Sequence, residues 1–123
     1  KKNPKKLNVL GDGNQQKSYL HVSDLVSAMV FLSKVELDMD NNPIFNLGPE
    51  NDTVKVSWIA EQVVKKFSPK AEIIYGSNNR GWVGDVPKFS YDTTKAQKFG
   101  WKPKLNSKES ISKAIEEIIK ELD

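Results

Sequence analysis

A chain of 123 residues, 37% of them hydrophobic and 28% charged, suits one packed domain and does not have the composition of a disordered tail. It has no cysteine, which excludes a disulfide framework and thiolate metal sites, and its one histidine, His21, excludes His-rich zinc constellations and leaves any Ser-His-Asp triad resting on a single residue. The net charge is +3, with Lys1, Lys2, Lys5 and Lys6 crowded at the start, but a basic tip of that kind is usually solvated and does not argue for nucleic acid.

No apolar run reaches membrane-spanning length and no segment has the signal-peptide pattern, so a cytoplasmic protein is expected. The chain begins with Lys and runs almost at once into a strand pattern, as a piece of a longer chain would.

Residues 7–10 form a short apolar run followed by Gly11-Asp12-Gly13. This is a tight turn, because glycine accepts positive φ. It is not a dinucleotide fingerprint: the third glycine is missing, and a strand pattern follows where a helix N-terminus would be needed. Residues 15–22 alternate, which puts Lys17 and Tyr19 on one face. A cation and a phenol side by side can hold an anionic, ring-bearing ligand, and they can equally belong to an ordinary exposed hairpin.

Residues 22–35 carry apolar side chains on nearly every side of a helix, which predicts burial between layers, with Ser23 as N-cap and Asp24 in the positive first turn. Residues 38–43 read as a polar loop, and residues 44–47 as a short buried strand stopped by Gly48-Pro49. Ser57 is the expected N-cap of a helix with Ile59, Ala60, Val63, Val64 and Phe67 on one stripe, ended by Pro69. Residues 72–75 are the next strand. Residues 76–87 form a long loop rich in Gly and Asn, of a kind that is often functional. Asp92 is expected to cap a short helix closed by Gly100, with Pro103 enforcing the stop. Ser107 then opens a final helix with Ile111, Ala114, Ile115, Ile118 and Leu122 as its core stripe. The pattern is mixed α/β, with short strands and about four helices.

Within the long loop, Arg80 offers a planar fork of donors to a phosphate and Asp85 can accept from ribose hydroxyls. The bland alternative is an exposed arginine and a loop-capping aspartate. Tyr91 and Lys95 have the Tyr-x-x-x-Lys spacing of short-chain dehydrogenases, but the tyrosine precedes the expected cap, so the two need not share a helix face. Trp58, Trp82 and Trp101 could stack on nucleic-acid bases, although their apolar neighbours favour core packing. Asn46 is expected to bond backbone.

Together the blocks 7–13, 17–25, 46–48, 80–87, 92–96 and 99–103 resemble, in order and over almost the whole chain, the C-terminal, substrate-binding part of the extended short-chain dehydrogenase/reductase family. These are the nucleotide-sugar epimerases and dehydratases, and the resemblance is strongest to UDP-glucose 4-epimerase-like members. It implies a substrate-binding lobe that packs on an absent Rossmann domain, so that residues 1–123 form a nucleotide-sugar-binding C-terminal domain. It also implies that backbone at Asn8, Val9 and Leu10 meets the base, that the diphosphate-gripping position falls on Lys17 with Tyr19 as its aromatic neighbour, and that Arg80 and Asp85 meet phosphate and ribose. Lysine where the family has arginine loses the two-pronged grip, and the Arg80 segment is two residues longer before Gly84-Asp85. Some members carry both variants, which points to a subgroup.

The family's glycine motif for the nicotinamide and its catalytic Ser/Thr and Tyr-x-x-x-Lys lie upstream of the matched region. No cofactor site or catalytic residue is therefore expected in this chain, which alone would be inactive, and NAD is expected in the full-length enzyme. The implied partners are a nucleotide-diphosphate sugar and the Rossmann domain of the same parent, with a homodimer as a further option and neither nucleic acid nor membrane. The competing readings are a dehydratase or reductase of the same family, a basic nucleic-acid-binding module, and an assembly domain.

Overall fold

The structure, a computed structural model, describes residues 5–36 and 44–122. Residues Lys1 and Lys2 of the basic tip and the loop expected at 38–43 lie outside the described residues.

Strands β1 (Lys6–Val9) and β4 (Glu72–Tyr75) pair in parallel, from Lys6 opposite Glu72 to Val9 opposite Tyr75. A parallel pair needs a long crossover, and here it carries helices α1 (Val22–Leu32) and α2 (Val56–Phe67). A second, antiparallel pair joins β2 (Gln16–Lys17) to β3 (Val54–Lys55). The alternating run at 15–22 becomes strand only over those two residues, because β3 turns directly into α2 and offers no longer edge. Helices α3 (Thr94–Lys98) and α4 (Ser107–Leu122) complete the chain, which is the mixed α/β arrangement expected.

Helix starts are where local signals mislead. His21, not Ser23, is the N-cap of α1, and its ring accepts from the Ser23 amide at 3.1 Å. Helix α2 begins at Val56, ahead of Ser57, and its first amides are satisfied by backbone: Val56 N donates to Gln15 O at 3.0 Å and Ser57 N to Gly13 O at 2.9 Å. The turn after β1 thus caps α2, which satisfies donors that every helix start leaves open. Thr93 precedes α3, and Asp92 accepts from the Thr94 amide at 3.0 Å. The N-cap of α4 is Asn106: it accepts from Glu109 N at 2.9 Å while Glu109 accepts from Asn106 N at 2.8 Å, a reciprocal capping box.

Two apolar clusters form the core. Val54, Ile111 and Ile115 gather Tyr19, Trp58, Ile59, Val63, Phe67 and Ile119, and so bind α2 to α4. Ala28, Ala96 and Trp101 gather Leu20, Phe31, Phe45 and Leu47, and so bind α1 to α3 and the segment after it. Residues 44–47 form no strand; Phe45 and Leu47 serve this second cluster as packing groups, while Asn46 Nδ2 donates to Asp92 O at 3.2 Å. Three further expectations are corrected. Ile118 and Leu122, expected in the core stripe of α4, are 49% and 58% exposed, and Ile119 packs on the first cluster instead. Trp82 is 67% exposed and not a core residue. Helix α1 is not enclosed between layers either: it buries Asp24 and Ala28, while Val22, Leu25, Val26, Met29 and Val30 face out. The reason is that its packing partners, Phe45, Leu47, the α3 segment and the stretch after it, gather on the Asp24–Ala28–Phe31 side, while α4 reaches only its first turn.

Candidate functional site

The end of β1, the glycine turn, β2 and the connector 76–87 converge because the connector is pinned at both ends. At its start, Gly76 N donates to Gly11 O at 2.8 Å and Asp12 N to Asn78 O at 2.7 Å. At its end, Gln16 N donates to Pro87 O at 2.7 Å, beside a bridge between Gln16 and Lys88. Gly11 and Gly13 stand at φ +81° and +78°, and a Cβ at Gly11 would lie 2.0 Å from Gln15 Nε2 and 2.9 Å from Arg80 O. Any side chain there would push the connector off the turn, which is the physical need for glycine at this place.

This pinning brings Asp85 onto Lys17, 68 positions earlier in sequence. Lys17 donates to Asp85 Oδ1, and Gly81 N donates to the other oxygen at 3.0 Å. The Asp85 side chain is 6% exposed and that of Lys17 27%. The ammonium hydrogen bond first, then the Gly81 amide, hold the Asp85 carboxyl below the usual carboxylate range, and the positive charges of Lys17 and Arg80 act the same way against the cost of burial. Arg80 therefore sits within electrostatic reach of the pair. Its side chain is exposed, with Nη1 donating to Val83 O at 3.4 Å.

Tyr19 is half-buried against the first core cluster, and its amide donates to Ser107 Oγ at 3.0 Å. Burial raises its phenol pKa, with the charge of Lys17 lowering it and that of Asp85 raising it. Asn8 and Leu10 are exposed and Val9 is half-buried along β1 and its end. A Cβ on Gly81 would lie 3.3 Å from Leu10 O, so the end of β1 and the connector share one neighbourhood. All seven residues singled out from the sequence fall on these adjoining segments.

One residue escaped the sequence reading. Gln15 is 2% exposed beneath the turn, and its Nε2 reaches Leu10 O at 3.4 Å while Oε1 has no partner among the described residues. A glutamine in an alternating polar run looks solvated, and only the folding-over of the connector buries it.

Other candidates separate from this site. His21 Nδ1 is taken by Ser23 and its Nε2 lies 3.0 Å from Glu117 Oε2, so it joins the start of α1 to α4 as a structural group. Lys95 lies over the Phe45 ring at 4.9 Å and Tyr91 packs on Phe89 ahead of α3, so the Tyr-x-x-x-Lys spacing is not a helical pair. No group of three or more metal-binding side chains exists among the described residues. The glycine turn does not fit a dinucleotide, because the first amides of α2 already bond Gln15 and Gly13. Among the described residues no helix is long and apolar enough to cross a membrane.

Residues 1–48 match the NAD dependent epimerase/dehydratase family. UDP-glucuronic acid decarboxylase 1 of Arabidopsis thaliana is 31% identical over 110 residues, which is 89% of this chain and 23% of the relative. A crystal structure of UDP-galactose 4-epimerase is 33% identical with a TM-score of 0.75, covering 99% of this chain and 38% of that one. The Thermotoga maritima UDP-glucose 4-epimerase, solved with UDP-glucose, is 25% identical with a TM-score of 0.78, covering 98% and 37%. The chain spans only 23–32% of the length of the first curated relatives it matches.

Proposed function

We propose that this relative of the NAD dependent epimerase/dehydratase family is the nucleotide-sugar-binding domain of an NAD-dependent sugar-nucleotide enzyme, in the first place a UDP-glucose 4-epimerase-like isomerase. Its task is to hold the nucleotide diphosphate while the sugar reacts elsewhere in the parent protein. The observation that carries this reading is the meeting of Lys17, Asp85 and Arg80 across the pinned connector. One cation seated on a buried carboxylate, a second on the same connector, and the neighbouring end of β1 at residues 8–10 suit a ligand with a base at one end, a ribose in the middle and a diphosphate at the other. Lys17 and Arg80 meet the phosphates, Tyr19 supports Lys17, Asp85 serves the ribose, and Asn8, Val9 and Leu10 edge the base.

The chain supplies no hydride acceptor and no acid–base pair in this reading. NAD and the catalytic residues belong to the N-terminal Rossmann domain of the parent, and this domain contributes orientation, a large catalytic factor when reactants must be held in register. That same domain is the proposed cover for the outward apolar face of α1. Covering it by a second copy instead would give a dimer, which the molecular mass in solution decides.

Titration calorimetry with UDP or UDP-glucose tests the reading. The 123-residue chain should bind weakly, and Lys17→Ala and Arg80→Ala should each weaken binding about tenfold, the usual scale for a charge-assisted phosphate contact. Unchanged affinity in both variants would sink it.

A further inference from the structure

We infer that the Lys17–Asp85 ion pair is a stand-in for the ligand, in which Asp85 serves as surrogate anion for Lys17 and Lys17 as surrogate donor for Asp85. The inference rests on the nucleotide-binding reading above and adds a coupling between the two halves of the nucleotide. Asp85 is the more deeply buried partner, and one of its oxygens is already tied to the Gly81 amide. Only the oxygen facing Lys17 can change partner. The lysine ammonium has three donors and a flexible stem, so it can swing to an anion without disturbing the connector.

Consider then what each fragment of a nucleotide would do. A phosphate alone draws Lys17 away and leaves a buried carboxylate oxygen without its cation, a loss that offsets much of the gain. A sugar hydroxyl alone must compete with the ammonium for the carboxylate. A ribonucleoside diphosphate supplies an acceptor for Lys17 and a donor for Asp85 in the same event, so neither charge is left bare. Arg80, whose contact with Val83 O is long at 3.4 Å, needs no such exchange. Binding of the diphosphate and of the vicinal diol is therefore cooperative, and the site discriminates against anions that lack the diol.

Calorimetry of the 123-residue chain with pyrophosphate, UDP and 2′,3′-dideoxy-UDP tests this, using Lys17→Ala, Asp85→Asn and Asp12→Asn. Asp85→Asn keeps an oxygen for Gly81 N, while Asp12→Asn removes the same charge from the neighbouring turn, where Asp12 accepts from Asn14 N. The expected result is that Asp85→Asn tightens pyrophosphate about fivefold or more and erases the preference for UDP over its dideoxy analogue. Asp12→Asn should do neither. If Lys17→Ala weakens pyrophosphate binding but Asp85→Asn leaves it unchanged or matches Asp12→Asn, the exchange is wrong and the binding reading stands. If Lys17→Ala has no effect the exchange is likewise wrong, and if the unaltered chain binds neither pyrophosphate nor UDP the binding reading itself is overturned.

Discussion

Helices α1 and α4 are both rich in apolar residues, yet they use them in opposite ways. Helix α4 turns Ile111 and Ile115 into the core with Val54 and leaves its charged residues in water, as an amphipathic helix at a surface does. Helix α1 does the reverse. It buries Asp24, whose Oδ2 accepts from Lys104 N at 3.1 Å and Leu105 N at 3.0 Å, and it exposes Val22, Leu25, Val26, Met29 and Val30. Those five occupy the side of the helix opposite Asp24, Ala28 and Phe31. The lesson is that hydrophobicity alone does not locate the core. One helix has found its partner inside this chain, and the other leaves its apolar side open among the described residues, a side for which the parent's N-terminal domain is the proposed cover.

The largest break in this comparison should come from α4. Ile115→Ala removes a buried branched side chain from the cluster joining α2 to α4 and is expected to cost about 2–5 kcal/mol, read as a shift in the denaturant midpoint. Next comes the polar side of α1. Asp24→Ala leaves two part-buried amides without their carboxylate acceptor and should cost about 1–3 kcal/mol by the same measurement. The pinned connector, outside both helices, sharpens the contrast through pH. Asp85 is held below its ordinary pKa, so the folded chain binds fewer protons there than the unfolded one. The stability this contributes is fully present above the ordinary carboxylate pKa of about 4 and is lost as pH falls through the lower native value. Asp85→Asn should flatten that part of an acid-unfolding curve. The smallest effect belongs to the outer face of α1. Val26→Ser and Met29→Ser should change the stability of the isolated chain by no more than about 0.5 kcal/mol, while weakening assembly with the rest of the parent protein. A large loss of stability from those two substitutions would mean that the face is covered within this chain.

Much of the framework was readable from residue order. The apolar stripe of α2, the Ile111 and Ile115 part of that of α4, the turn at Gly11-Asp12-Gly13 and the strand at β4 follow from periodicity and from glycine's freedom at positive φ. Helix starts were harder. Ser23 and Ser57 look like N-caps, yet His21 caps α1 and the carbonyls of Gly13 and Gln15 cap α2, because backbone arriving from the turn outcompetes a local hydroxyl. The short run at 44–47 has strand composition, but composition cannot supply a neighbouring edge, and Phe45 and Leu47 went into packing. At the site, Lys17, Tyr19, Arg80 and Asp85 were each singled out by type and by family resemblance. Gln15 was invisible, since nothing in an alternating polar run marks which member will be roofed over.

By itself, then, the order of residues determined which segments could become helix or strand and which side chains carry charge or a ring, because those properties depend on spacing and chemistry over a few neighbours. The tertiary structure alone decided that Asp85 is buried and seated on Lys17, that Gln15 lies under the glycine turn, and that α1 presents its apolar side outward. Each of these depends on groups tens of residues apart meeting in space. Local pattern has no access to such a meeting until the connector closes over the turn.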